Sequence, residues 1–278
     1  MELKTVEVNE SFRIPAAMWE RIKPLLPVEP PKPKGGRPRN DDRRMMEAIF
    51  YVLRTGIQWK ALPRSMGAGS SVHDRFQEWR QAGVFRAMWA TGLRDYDSVV
   101  GIEWEWQAMD GAITKAPLGG EKTGPNPTDR AKSGTKRCML TEAKGIPLAV
   151  TVEGANRHDI KMAEATLDAI VIDRPAPTPE NPQNLALDKG FDSEAVREAL
   201  AVRNYIAHIR SRGEESADKR EIPGYRARRW VVERTHSWMN RFRRLLIRWE
   251  KKLKITWLCS KWPVPSSVFM LPGFSDRL

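Results

Sequence analysis

The feature that most constrains this chain is a change of hydrophobic period at Gly101. Before it, apolar residues recur at helical spacing: Trp19, Ile22, Leu25 and Leu26, then Met46, Ile49, Phe50 and Leu53, with Gly56 as a stop. Ser70-Ser71 reads as the cap of a third helix carrying Val72, Phe76 and Trp79, and Val84 to Tyr96 reads as a fourth. Beyond Gly101 the segments shorten and turn β-prone: Glu103 to Met109, Lys136 to Glu142, and Pro147 to Val152 after the Lys144-Gly145 turn. Then come a helix from Ile160 to Ile170 capped by Asp159, a buried strand at 184–187, a helix over 193–203, a strand at 205–209 and a basic helix over about 225–252. The reading is a small all-helical domain over 10–98 followed by an α/β domain over 99–252. Pro-rich stretches at 27–39 and 175–182 punctuate it.

Charge narrows the partners. The 278 residues carry 47 Lys and Arg against 35 Asp and Glu, a formal +12. The stretch from Arg226 to Lys254 alone holds eight Arg and three Lys against Glu233 and Glu250, a net +9. Such a balance favours a polyanion, with nucleic acid the first choice. A hydrophobic content of 41% with 11 Trp argues against disorder. The two cysteines, Cys138 and Cys259, form no C-x-x-C pair, which excludes a zinc ribbon and fits a reducing compartment. No signal peptide begins at Met1 and no apolar run is of spanning length, so the expectation is a cytoplasmic, nucleoid-associated protein without membrane contact.

Three acids stand out against this basic background. Asp110 follows EWEWQAM, Asp188 follows NLAL, and Glu233 lies in WVVERTHSW, so two carboxylates sit at strand ends and one on the basic helix. One acid among arginines is ordinarily an intrahelical ion pair; a set of three on two strands and a helix is a cation cage. Phosphodiester chemistry needs an activated oxygen nucleophile and a stabilised leaving oxyanion, which two divalent ions roughly 3.5–4 Å apart supply. Magnesium prefers such hard oxygen ligands. A G-x-x-x-x-G-K loop, a nucleophile elbow and zinc-spaced His or Cys are missing from the sequence, leaving metal-assisted phosphoryl transfer.

The segments GRPRNDDRRMMEAIFYVLRTGIQWKALP, WQAMDGAITKAP, LALDKGFDS and RRWVVERTHSWMNRFRRLLIRWEKK resemble the bacterial DDE transposases of the insertion-sequence-five group, over about residues 14–252. The resemblance implies a ribonuclease H-like catalytic domain preceded by a helical DNA-binding domain. It also implies a catalytic and metal-holding triad of Asp110, Asp188 and Glu233, separated by 78 and 45 residues. Two Mg2+ ions, or Mn2+, would be the cofactors. Double-stranded DNA, as terminal inverted repeats and target, would be the partner, with a homodimer or larger assembly holding both ends. Around the third acid the group carries Tyr, Arg, Glu and Lys. Arg229 fits; Tyr225 stands one place too far away, and Asn240 takes the place of the Lys with Arg241 beside it.

Other side chains have plainer roles. Arg37 and Arg39 in GGRPR form an arm suited to a narrow minor groove, or a basic linker. Arg229, Arg241, Arg243 and Arg244 are expected at DNA phosphates, with His236 near DNA or a carboxylate behind the ligands, and Lys115 at phosphate or solvent. Asp159 and Asp192 read as helix caps, and His158 as orienting substrate or satisfying backbone. Trp59, Trp79 and Trp89 belong to the core. The tail, 253–278, has Pro263, Pro265 and Pro272 where a closing helix belongs, and Leu253 to Trp257 can be encoded by codons that read Glu-Asn-Tyr-Leu one frame over, so the expectation is an out-of-frame tail. The rival to an active transposase is a degenerate copy that binds ends and represses transposition.

Overall fold

A computed structural model describes residues 12–29, 31, 33, 35, 38–210, 220 and 228–252. Arg37, Tyr225, Cys259 and the tail from residue 253 onward lie outside the described residues.

Four helices come first: α1 (Ala16–Ile22), α2 (Asp42–Thr55), α3 (Gly69–Gln81) and α4 (Val84–Val99). Asp41 caps α2, its carboxylate accepting from the Arg44 amide at 2.8 Å, and Gly56 ends it at φ 75°, a left-handed position that glycine adopts without strain. The expected Ser70-Ser71 cap is corrected. Ala68 holds the N-cap position and α3 begins at Gly69, so both serines lie in its first turn. The Cβ of a larger residue at position 69 would collide with the Trp59 carbonyl, which is why the chain can pass so close there. Trp79 and Trp89 are fully buried, and Trp59 packs against Phe76 with ring centroids 5.3 Å apart.

The sheet follows. Its strands are β1 (Trp106–Lys115), the two-residue β2 (Gly124–Pro125), β3 (Ser133–Glu142), β4 (Pro147–Gly154), β5 (Gln183–Asp188) and β6 (Tyr205–Arg210). β4, β3 and β1 are joined antiparallel in that order, then β5 and β6 add parallel on the other side of β1. The resulting order β4-β3-β1-β5-β6, with three antiparallel strands and then two parallel ones, is the ribonuclease H-like arrangement. α5 (Ile160–Leu167) packs on β3 and β4 and beside α6 (Glu194–Val202), whereas α7 (Trp230–Met239) packs on β1 and β3.

Three expected boundaries move. β1 does not end before Asp110 but continues through it to Lys115, because it pairs with β3 along that whole length. The basic helix is not continuous to Lys252. Among the described residues it runs from Trp230 to Met239, then yields to a 3-10 turn at Arg243–Leu245, and Ile247 bridges to Lys115. Neither expected aspartate cap forms: Asp159 pairs with Lys136 instead, and Ser193, not Asp192, accepts the Val196 amide at the start of α6, while Asp192 pairs with Arg197.

One continuous core joins the helical segment to the sheet. Trp89 donates to the Pro147 carbonyl at 3.1 Å, and Phe242, just past α7, meets Phe50 of α2 edge-on at 5.8 Å. Arg244 completes the join. It donates to Glu250 at 2.6 Å and to the Ile57 carbonyl at 3.0 Å, and the two charged side chains are 8% and 7% exposed. The expectation that Arg244 meets DNA is therefore corrected: its guanidinium faces inward, where it satisfies backbone carbonyls and one buried carboxylate. Arg248 is likewise buried, donating to the Glu250 and Lys122 carbonyls.

Removing one member of a buried pair leaves the other charge uncompensated, a cost of about 3–5 kcal/mol. Arg244→Ala should thus lower the unfolding free energy by about 3 kcal/mol in urea titrations, where a surface arginine would cost about 0.5 kcal/mol or less. A loss in the surface range would remove Arg244 from the join.

Candidate active site

The parallel register of β1 and β5 sets the site. Trp106 to Met109 pair with Asn184 to Leu187 in step, and the next residues are Asp110 and Asp188. Neighbouring strands lie about 4.8 Å apart and side chains alternate between faces, so two residues at the same register position present their carboxylates side by side on one face. That face is covered by α7, whose His236 ring reaches the Asp110 carbonyl at 3.4 Å. Glu233 lies one turn before His236, exposed at the rim. Valine, threonine and methionine at 231, 232, 235 and 239 are buried on the sheet and hold the helix in this rotation.

Electrostatics register the grouping. The Asp110 carboxyl is pushed up to about 6, first by burial, then by the like charges of Glu233 and Asp188, against relief from the Gly111 amide and Arg229. Arg229, directly before α7, sits 3.2 Å from Asp188 Oδ2. Burial and the charge of Arg137 pull His236 down to about 4, so its ring is neutral near pH 7. A carbonyl can only accept, so Nε2 carries the proton and donates to Asp110. His236 is therefore not a DNA contact, contrary to expectation, because it is buried between α7 and β1.

Three carboxylates are the donor chemistry that hard divalent cations take, and a cation there would offset the burial and like charges that raise the proton affinity of Asp110. Among the described residues no three acid, histidine or cysteine side chains stand close enough to ligate one ion together as they are arranged. Glu233 stands exposed at the rim of this face, where its side chain can change rotamer.

The remaining expected contacts divide. Arg241 and Arg243 are exposed. Arg39 donates both to Glu78 Oε1 at 2.8 Å and to Oε2 at 3.0 Å, which ties the arm's last arginine to α3. Lys115 ends β1 five residues from Asp110, hence on the opposite face, and pairs with Asp129 at 3.3 Å. His158 is exposed beside Lys161 and Arg157 at the start of α5. Sequence reasoning missed Arg137, fully buried on the Asp110 face opposite Ala112, whose Nη2 donates to Asn240 Oδ1 at 3.4 Å. A charged residue inside a strand otherwise reading as apolar, TKRCML, was the available signal.

Residues 107–257 match the family model described as "Transposase DDE domain", and residues 14–89 match the one described as "Putative transposase of IS4/5 family". The first match covers more than half of the chain, and the chain belongs to the transposase DDE domain family. It is 42% identical over 139 residues to the "Putative transposase for insertion sequence element IS402" of Burkholderia cepacia, a match covering 49% of this chain and 64% of that relative. The same organism's "Insertion element IS402 uncharacterized 16.2 kDa protein" is 34% identical over 116 residues, 40% of this chain and 78% of that one. The chain thus spans slightly under two thirds of the first relative's length. Among solved structures, the Mos1 mariner paired end complex with Mn aligns with a TM-score of 0.30 at 13% identity, covering 90% of this chain and 83% of that one.

A group whose carboxyl is raised in the fold holds more protons there than in the unfolded chain between about pH 4 and 6. Metal-free stability should therefore fall as pH rises through that window and stay lower above it. Asp110→Asn removes the penalty. In EDTA at pH 7.5 this variant should unfold at higher urea than the parent, by roughly 1–3 kcal/mol, and lose that part of the pH dependence. A variant no more stable than the parent would contradict the raised proton affinity of Asp110.

Proposed function

We propose that this chain is a DNA transposase that cleaves the ends of an insertion sequence and joins them to target DNA, with Asp110, Asp188 and Glu233 as its metal-holding catalytic acids. The single observation that carries the reading is the step-by-step β1–β5 pairing, which leads to two aspartates side by side under a helix bearing a third acid. Membership of the transposase DDE domain family supports it.

Asp110 and Asp188 would hold divalent cations, Mg2+ or Mn2+, between them, and Glu233 would complete the ligand set. When bound, two such ions lower the pKa of an attacking water or 3′ hydroxyl and neutralise the leaving oxyanion. Arg229 keeps the Asp188 carboxylate oriented through its 3.2 Å contact and offsets part of the acid charge when no cation is present. His236, neutral and bonded to the Asp110 carbonyl, anchors the strand without adding charge to the site. The proton of the nucleophile leaves to solvent or to a carboxylate at the rim, where Glu233 is exposed. Hydrolysis at the ends uses water, strand transfer uses the freed 3′ hydroxyl, and neither needs a covalent enzyme intermediate.

DNA is the partner that the charge calls for. Arg241 and Arg243, exposed just past α7, would contact phosphates next to the acids, with Arg37 and Arg39 as a minor-groove arm once Arg39 exchanges Glu78 for DNA. Two ends held together imply at least a dimer on DNA. Residues 10–98 would bind the inverted repeats and 99–252 carry the chemistry.

Supercoiled plasmid bearing the element's ends, incubated with protein and Mn2+ or Mg2+, tests the reading. Cleavage at the ends should need the metal, fall at least a thousandfold on the order of magnitude expected for a lost catalytic group in Asp110→Asn, and leave end binding intact. In Arg241→Ala/Arg243→Ala, the salt dependence of binding should flatten by about one to two units of slope. Tight binding with no cleavage under any metal would favour the repressor instead.

A further inference from the structure

The ladder that brings the two aspartates together stops one residue short of them. Its last parallel pair is Met109 with Leu187, so the β1–β5 ladder does not itself extend to Asp110 and Asp188. On the far face of the sheet a single carboxylate spans the gap. A Cβ at Gly111, the residue after Asp110, would stand 2.6 Å from Asp159 Oδ1, and one at Gly190, two after Asp188, would stand 3.5 Å from Oδ2. The first distance is one no real Cβ shows; Asp159 is seated where only glycine leaves room. Both of its oxygens accept from Lys136 Nζ at 3.1 Å. Lys136 lies two residues from Cys138, the partner of Gly111, and so shares that face of β3.

The position of Asp159 makes this pairing notable. It precedes α5, where an aspartate ordinarily accepts a helix amide, yet its side chain makes no cap bond. Its side chain is 27% exposed and that of Lys136 is 10% exposed, so the pair is largely withdrawn from water and is weak evidence of stabilisation for its own sake. By geometry it lies behind both strand ends, against Gly111 and beside Gly190.

We propose that Asp159, held by Lys136, is a positioning residue for the cation site: it sets the separation of the Asp110 and Asp188 strand ends through Gly111 and Gly190 without touching the cation. The proposal rests on the reading of those aspartates as metal ligands, and the controls below separate the two. It also assigns a role to the glycines of MDG and DKG, to the Lys of GTK and to the Asp of RHD, none of which the chemistry itself uses.

The test is Mn2+ binding to the full-length protein, read from the electron paramagnetic resonance signal of free Mn2+, alongside thermal melting without metal. Partners that orient metal ligands typically change affinity by about 10–100-fold. Asp159→Ala should weaken Mn2+ binding about tenfold, and Gly111→Ala, which changes no charge, should do the same by displacing the carboxylate. Asp159→Asn keeps the shape and still accepts from Lys136, so it should stay within about threefold of the parent. The double variant Gly111→Ala/Asp159→Ala should be no weaker than Asp159→Ala, because the collision is gone. Parent affinity in Asp159→Ala, loss in Asp159→Asn as deep as in Asp159→Ala, or multiplied losses in the double variant would each overturn the brace. If Asp159→Ala does not fold, Gly111→Ala against Asp159→Asn decides in the same sense. Asp110→Asn is the control: if it retains Mn2+ binding, the assignment of the ligands fails rather than the brace.

Discussion

Placing like charges on adjacent parallel strands is the constraint around which this protein is arranged. β1 and β5 run in step, so Asp110 and Asp188 arrive together whether or not a cation is there to separate their charge. Everything around them moderates that repulsion. Arg229 offers a guanidinium to Asp188, the Gly111 amide favours the charged form of Asp110, and a neutral His236 fixes the strand by its backbone. None of these offsets the burial of Asp110 and the like charges beside it, and its proton affinity stays well above the ordinary carboxylate range. A divalent cation held there would offset both the burial and the like charge.

The basic stretch does two kinds of work. Arg244 and Arg248 turn inward, satisfying carbonyls at Gly56, Ile57, Lys122 and Glu250, and so fasten the segment after α7 to the helical part and to the sheet. Arg241 and Arg243 stay exposed on the same short segment. Gly56 shows how tight the fastening is: a Cβ there would lie 3.0 Å from that of Arg243. A net charge read along a sequence therefore overstates the charge offered to a polyanion, since part of it is spent on carbonyls inside the fold.

Periodicity made much of this legible. The apolar faces of α2 and α4, the Gly56 stop and the short strand LALD follow from local rules, and the order of elements was enough to place three acids on two strands and a helix. What local rules missed was set by partners distant in sequence. β1 runs on through Asp110 and Gly111, residues poor in β-propensity, because β3 offers nine successive pairings from Gln107 to Lys115. The basic helix stops near Asn240 because Phe242 and Leu245 are drawn into the core beside α2, which a straight helix would prevent. Asp159 reads as a cap by its neighbours alone; only the fold supplies Lys136, 23 residues away, as a better partner.

The central claim is that Asp110 and Asp188 share a cation, and anomalous diffraction from crystals of the protein grown with Mn2+ and end DNA addresses it most directly. The account predicts a manganese peak beside the Asp110 and Asp188 carboxylates, with Glu233 turned toward it. Manganese bound elsewhere, with Asp110 and Asp188 held only by Arg229 and the Gly111 amide in a complex that still cleaves DNA, would contradict it.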